Sequence, residues 1–238
     1  MRRLLILLIT SVVYSQHPTS GVVEYTIEAT SSEITNEIAK VGKNNSEQKA
    51  LLEMFSNDPA LFILEFNGNE AIYKNAKNVM QSEAINKKKP RFLEVYAGGD
   101  AVFYSDSLEK NSLIQQNSVG ELFLISSKFP EWELTNETKK IGNYTCFKAK
   151  YISKNGNRNS IDEIWYTPEI PVQFGPNKYI GFPGLVIEVI AGKIRFTATK
   201  IQLNSQQTII IEKPVKGKKI TEEGYKKILE KAADELGF

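Results

Sequence analysis

The chain carries one histidine, His17, and one cysteine, Cys146, among 238 residues, which leaves little from which to build a nucleophile and its base. A Ser/His/Asp or Cys/His relay needs an imidazole held within hydrogen-bond reach of the attacking atom. His17 stands near the N-terminus, where chains fray, and no second histidine replaces it. Histidine-rich zinc ligation fails on the same count. GxSxG, HExxH and a phosphate-cradling glycine loop are absent. Carboxylates remain, 28 Asp and Glu in all. Asp162 and Glu163 beside Trp165 resemble an acid, a base and a sugar-stacking ring. Adjacent strand residues face opposite ways, however, so these two do not flank one bond. Glu169, between Pro168 and Pro171, is better placed but solitary. The residues therefore favour a non-catalytic protein, with a carboxylate-dependent hydrolase as the alternative, and they call for no metal and no cofactor.

The densest stretch is 165–189, WYTPEIPVQFGPNKYIGFPGLVIEV. Pro168 and Pro171 each delete a backbone donor and push the preceding residue towards extended geometry, which excludes a helix interior or a central strand. Pro183-Gly184 is the central pair of a type II turn, with glycine accepting φ > 0. A long ordered loop follows, and long loops inside a domain are functional or disordered. Its rings argue for order. The candidate binding residues are Trp165, Tyr166, Pro168, Glu169, Gly175, Pro176, Tyr179, Gly181, Phe182, Pro183 and Gly184. Two readings stand side by side: an aromatic plug that closes one end of a sheet, or a surface for a ligand or partner.

Gly181-Phe182-Pro183-Gly184-Leu185-Val186, with Trp165 to Pro171 and Gly175-Pro176 before it, resembles the signature of the GLPGLI family of exported Bacteroidota proteins. The stretch Ile141 to Ala149 resembles that family's second landmark. Phe182 and Val186 stand where the family has leucine and isoleucine, and both stay apolar. The resemblance implies export to the periplasm or outer envelope, no established reaction and no known cofactor. Asp106-Ser107-Leu108 resembles a Bacteroidota O-glycosylation site with Ser107 as acceptor.

The elements that hold the loop follow from periodicity. Residues 1–15 read as a signal peptide, with Arg2-Arg3, an apolar run and small residues Val13 and Ser15 at the cleavage positions. The run is too short to span a bilayer. Residues 16–238 read as a single β-rich domain. Without the leader, Lys and Arg fall to 28 against 28 acids, so nothing argues for nucleic acid. Gly21 to Ala29 alternates as a half-buried strand, and 31–57 repeats at helical spacing. Asn67-Gly68 is a type I′ hairpin signal, although the tightest turn there sets Glu65 against Glu70 and favours a longer loop. After the basic turn Lys87 to Pro90, residues 91–97 read as a segment that Gly98-Gly99 returns as Asp100 to Ser105.

Asn155-Gly156 predicts a hairpin pairing Lys148 with Glu163, Phe147 with Ile164 and Cys146 with Trp165. That makes Cys146 a small hydrophobe beside an indole; a reactive thiol needs more positive surroundings than Lys148 alone. Ala191-Gly192 likewise predicts Ile187 opposite Phe196, Glu188 opposite Arg195 and Val189 opposite Ile194. Thr208 to Ile211 reads as a last strand, Lys213 to Lys219 as a solvated linker, and 221–236 as an amphipathic helix with Tyr225, Ile228, Leu229, Ala232, Ala233 and Leu236 on one stripe. The expected fold is mainly β (α+β): a single antiparallel, curved sheet of hairpins, with an N-terminal helical insertion and a C-terminal helix packed on it. The expected partner is a hydrophobic small molecule or an envelope protein, bound at the loop; a purely structural role is the remaining alternative.

Overall fold

The computed structural model describes residues 20–30, 59–77, 92–151, 162–192, 194–204 and 208–236. The leader, the helical repeat of 31–57, the lysine turn at 87–90, the hairpin tip at 155–156 and Gly237 lie outside them. Elements run β1 (Ser20–Ala29), β2 (Ala60–Asn67), β3 (Glu70–Asn75), α1 (Phe92–Tyr96), β4 (Val102–Asp106), β5 (Asn111–Ser118), β6 (Glu121–Lys128) and β7 (Trp132–Ile141). They continue with β8 (Tyr144–Tyr151), β9 (Glu163–Thr167), β10 (Leu185–Ala191), β11 (Ile194–Leu203), β12 (Lys218–Thr221) and α2 (Glu222–Leu236). All twelve strands join one sheet in the order β12-β6-β5-β4-β3-β2-β1-β11-β10-β9-β8-β7. The class is mainly β, but the sheet is mixed: β12 runs parallel to β6, with Ile220 opposite Ile125. Residues 213–217 are irregular, as a linker would be, but Lys218 and Lys219 at the end of the expected linker open the edge strand β12, and 208–211, expected as a strand, is irregular.

Connectivity forces the sheet to bend. β6 and β7 stand ten places apart in the strand order, about 48 Å in a flat sheet at roughly 4.8 Å per step. Only Phe129, Pro130 and Glu131 join them, and so short a segment reaches about 14 Å at most. The sheet therefore curls until its two ends nearly meet, and one face becomes the inside of a bowl. In β1 that face carries Val23, Tyr25 and Ile27, all fully buried, while Glu24, Thr26 and Glu28 turn outward.

The hairpin turns share a displacement. β2 and β3 pair Asn67 with Glu70, so the two turn residues are Gly68 and Asn69, with Gly68 first at φ 58°. Glycine in the first central position suits a type II′ turn. The shift sets Glu65 beside Ile72 and lets it bind Lys74 at 2.8 Å, which removes the like-charge clash without a longer loop. The β10–β11 hairpin slips in the same way, pairing Val189 with Phe196 and Ala191 with Ile194 rather than Ile187 with Phe196. In β8–β9, Lys148 faces Trp165 and Ala149 faces Ile164, so Cys146 is not directly opposite Trp165. A two-residue slip keeps every side chain on its own face, and the binary pattern alone does not detect it. Lys148 still reaches Glu163 at 3.3 Å, and Glu188 still meets Arg195 at 3.8 Å, as diagonal neighbours.

Residues 92–96 form a helix. Leu93 and Ala97, four apart, are buried, and Glu94 meets Lys77 at 2.5 Å. Gly98 and Gly99 cap the helix with bonds to the carbonyls of Val95 and Glu94. At the other end of the chain, α2 stands at the β12–β6 edge. Tyr225 packs edge-on against Phe123 at 5.4 Å, but Leu229 keeps 40% exposure, so the apolar stripe is only half covered.

Candidate functional site

The inner face becomes a site because strand registers line up across it. Leu64, Tyr73, Phe103, Ile114 and Ile125 form one cross-strand row from β2 to β6. Two residues along each strand, Ala71, Ser105, Ser112 and Ser127 form a parallel row. A strip of apolar surface therefore lies beside a strip of hydroxyls. Ser112 and Ser127 share a hydrogen bond of 2.8 Å. The first row and the three serines of the second floor a pocket of about 830 Å³, within the range of small-ligand sites.

Two walls close it. The crossover from β6 brings Phe129, Pro130 and Glu131 and ends at Trp132, whose indole N–H donates to the carbonyl of Ile180 at 2.6 Å. The opposite wall is the tip of the loop after β9, with Gly175, Asn177, Lys178 and Ile180. Asn177 sits at φ 53° in a turn closed by Tyr179 N–H donating to Pro176 O. The start of α2 sets Glu222, Glu223 and Tyr225 at the rim, where the Gln116 amide donates to the Tyr225 hydroxyl at 2.5 Å.

The loop itself is a plug. Its backbone closes on itself and on β10, through Gly181 to Gln173, Leu185 to Ile170 and Val186 to Phe174. Its rings turn into the bowl: Phe174 packs on Phe66 at 5.9 Å, Tyr179 on Phe196 at 6.0 Å, and Phe182 on Trp132 at 4.5 Å and Tyr166 at 5.7 Å. The Tyr179 hydroxyl donates to Asp162 at 2.9 Å; burial first, then that carboxylate, pushes it well above the ordinary phenol range. Gly184 does not take positive φ. A Cβ there would lie 2.1 Å from Thr167 O, so glycine is required by a close approach of two backbones and not by a type II turn.

The eleven residues singled out from the sequence therefore divide. Tyr166, Tyr179 and Phe182 are buried inside the bowl, and Pro176 and Gly184 are buried with them. Trp165 lies on the opposite face, with Lys139 at 4.2 Å and Lys148 at 5.5 Å over its ring. Pro168, Glu169 and Pro183 are exposed and Gly181 half-buried. The Glu169 carboxylate is engaged by the backbone N–H of Thr145 at 2.7 Å. Gly175 alone among the eleven touches the pocket. Cys146 is fully buried, and burial pushes its thiol up to about 11 against the opposing pull of Lys139. The floor residues Tyr73, Phe103, Ser105, Ser112 and Ser127 carry no motif. Strand alternation places each on a face, but only register and curl assemble them.

Tyr73 is 1% exposed and its hydroxyl has no hydrogen-bond partner. Tyr25 stands edge-on to it at 6.2 Å, but the Tyr25 hydroxyl donates to Val186 O at 2.5 Å. Burial, then Tyr25 and Tyr179, raises the Tyr73 phenol well above its usual range. No group of three or more His, Cys, Asp or Glu able to hold a metal occurs among the described residues.

Comparison with known proteins places this bowl. A family described as N-glycanase peptide, N-terminal domain, matches residues 71–227. Two solved structures of PNGF-II share the fold. In space group P21 the identity is 17% and the TM-score 0.51, covering 90% of this chain and 34% of that one. In space group C2 they are 15% and 0.53, covering 90% and 33%. The chain thus spans about a third of the length of the structures it matches. No curated protein shows a significant match. The family match overturns the resemblance to GLPGLI proteins and, with it, the reading as a non-catalytic envelope protein of that type. The Gly-Phe-Pro-Gly stretch falls inside the matched region as a packing device.

Proposed function

The chain belongs to the family of the N-glycanase peptide, N-terminal domain, and from this premise we propose that it serves the removal of N-linked glycans by holding the oligosaccharide in the pocket of its concave face. The observation that carries the reading is the pair of rows on the floor. A pyranose has an apolar C–H face and a polar edge. Laid across β4–β6, it sets the first on Phe103 and Ile114 and the second on Ser105, Ser112 and Ser127. The pocket, at about 830 Å³, has room for more than one ring. The leader at 1–15 supports export, where glycoproteins are met; no described helix is long and apolar enough to cross a membrane.

Calorimetric titration with an Asn-linked glycopeptide tests the reading. Binding is expected, and Ser127→Trp, which sets a large ring on the pocket floor, should abolish it while leaving the circular dichroism spectrum unchanged. Equal binding by that variant, or none by the wild type, refutes the proposal. A second reading comes from the rim, where Glu131 on one wall and Glu222 and Glu223 on α2 bring acids from distant parts of the chain to one cavity. A hydrolase of its own would release glycan from the glycopeptide and lose that release in Glu131→Gln.

A further inference from the structure

We propose that Asp162 is the positioning residue of the pocket's loop wall: it holds the tip of the loop after β9 and so sets where Asn177, Lys178 and Ile180 stand against the floor. The ladder bonds of this loop lie at its base, between residues 170–174 and 181–186. The tip, 175–180, closes on itself, with Tyr179 N–H donating to Pro176 O and Ile180 N–H to Lys178 O. Its place in the bowl is therefore set by what its side chains and outer carbonyls reach. Two such ties converge on a single atom. The Tyr179 hydroxyl donates to Asp162 Oδ2 at 2.9 Å, and the Lys178 ammonium meets the same oxygen at 3.4 Å. A third tie, from the Trp132 indole N–H to Ile180 O, joins the tip to the crossover wall.

Asp162 is suited to be the fixed point. It directly precedes β9 and falls on the same face as Ile164 and Tyr166, two and four residues on, which places it inside the bowl at 8% exposure. The arrangement is a poor device for stability alone. A carboxylate set among rings loses hydration, and one hydroxyl with an ammonium whose side chain is 57% exposed offsets that only in part. What the carboxylate adds is a place. Residues 178 and 179 are consecutive, and the wall residues Asn177, Lys178 and Ile180 are theirs or their neighbours, so fixing one oxygen fixes the wall. Its carboxylate thus has a use that needs no second acid beside it.

Proton–nitrogen correlation NMR tests this without a ligand, and so independently of the glycan reading. The chain has two indole N–H groups. That of Trp132 reports the bond to Ile180 O, and that of Trp165, which has no hydrogen-bond partner, is the internal reference. Asp162→Ala and Tyr179→Phe should each move the Trp132 resonance and leave that of Trp165 in place. Asp162→Asn, which keeps an acceptor for the Tyr179 hydroxyl, should recover the resonance in part. Because both cut one tie, the double variant should match Asp162→Ala rather than show the sum of the two shifts. A second arm rests on the glycan reading: Asp162→Ala should weaken the Asn-linked glycopeptide by about three- to tenfold, the worth of one hydrogen bond. A Trp132 resonance unmoved by Tyr179→Phe, a double variant that shows the sum, or undiminished binding by Asp162→Ala overturns the proposal and leaves the glycan reading intact. Absence of glycopeptide binding by the wild type overturns the glycan reading alone, and the Trp132 resonance then decides the role of Asp162.

Discussion

Replacing Gly184 by alanine isolates the reason this position is glycine. The added Cβ would fall 2.1 Å from Thr167 O, 2.5 Å from Thr167 C and 2.8 Å from Pro168 N. An ordinary carbon–oxygen approach is about 3.3 Å or more, so the overlap exceeds 1 Å by a rough count. The obstructing atoms are backbone and have little freedom. Thr167 pairs with Leu185 in the β9–β10 ladder, and its hydroxyl donates to Thr145 O at 3.0 Å. Overpacking costs about 1–3 kcal/mol where side chains can yield; against a ladder, roughly 3 kcal/mol or more is expected. For a domain of this size that lowers Tm by about 6–12 °C. Gly192→Ala is the control. Gly192 has φ 57° and a Cβ there would meet nothing within 4 Å, so the substitution carries only the left-handed penalty, about 1–2 kcal/mol. Urea unfolding followed by the fluorescence of the two tryptophans gives both values. If Gly184→Ala costs less than Gly192→Ala, close approach is not what fixes glycine there.

Tyr73→Phe in the ligand-free protein should raise stability, by up to about 1–3 kcal/mol, because it deletes a buried hydroxyl with no partner; a thermal melt that falls instead would show the hydroxyl to be bonded. Glu188→Gln should cost roughly 2–3 kcal/mol, since Glu188 is 7% exposed and binds Lys139 at 2.5 Å with Arg195 at 3.8 Å. The loss stays below that of a fully buried pair because Lys139 keeps 35% side-chain exposure, and urea titration measures it. Cys146 should resist iodoacetamide at pH 8 in the folded chain and react readily in urea, as expected for a buried thiol raised to about 11. Because an unfolded thiol ionises nearer 9.0, stability falls between pH 9 and 11, and Cys146→Ala should remove that part of the slope.

Much of the architecture is written locally. The alternation of Val23, Tyr25 and Ile27, the glycine-marked hairpins and the helix of 222–236 are short-range patterns, and each appears as an element. The exact pairing is not local. At Gly68 and Gly192 the turn sits one position away from where the dipeptide signal puts it, a change that leaves the inward and outward sets intact and so leaves no trace in the sequence. The helix at 92–96 is hidden for a related reason. Leu93 and Ala97 suit a helix face, but a run that short is decided by what covers it.

The sequence by itself determined a β-rich chain, an aromatic loop rigid enough to order itself, and chemistry poor in histidine and thiol. Only the tertiary structure decided what the loop is for. Three residues had to carry the chain from β6 to β7, and that curled the sheet around the loop and buried its rings. The same curl lined up Tyr73, Phe103 and three serines from separate strands, residues that no spacing along the chain connects. A pocket floor built across strands depends on register and curvature, and those are set by contacts between distant parts of the chain.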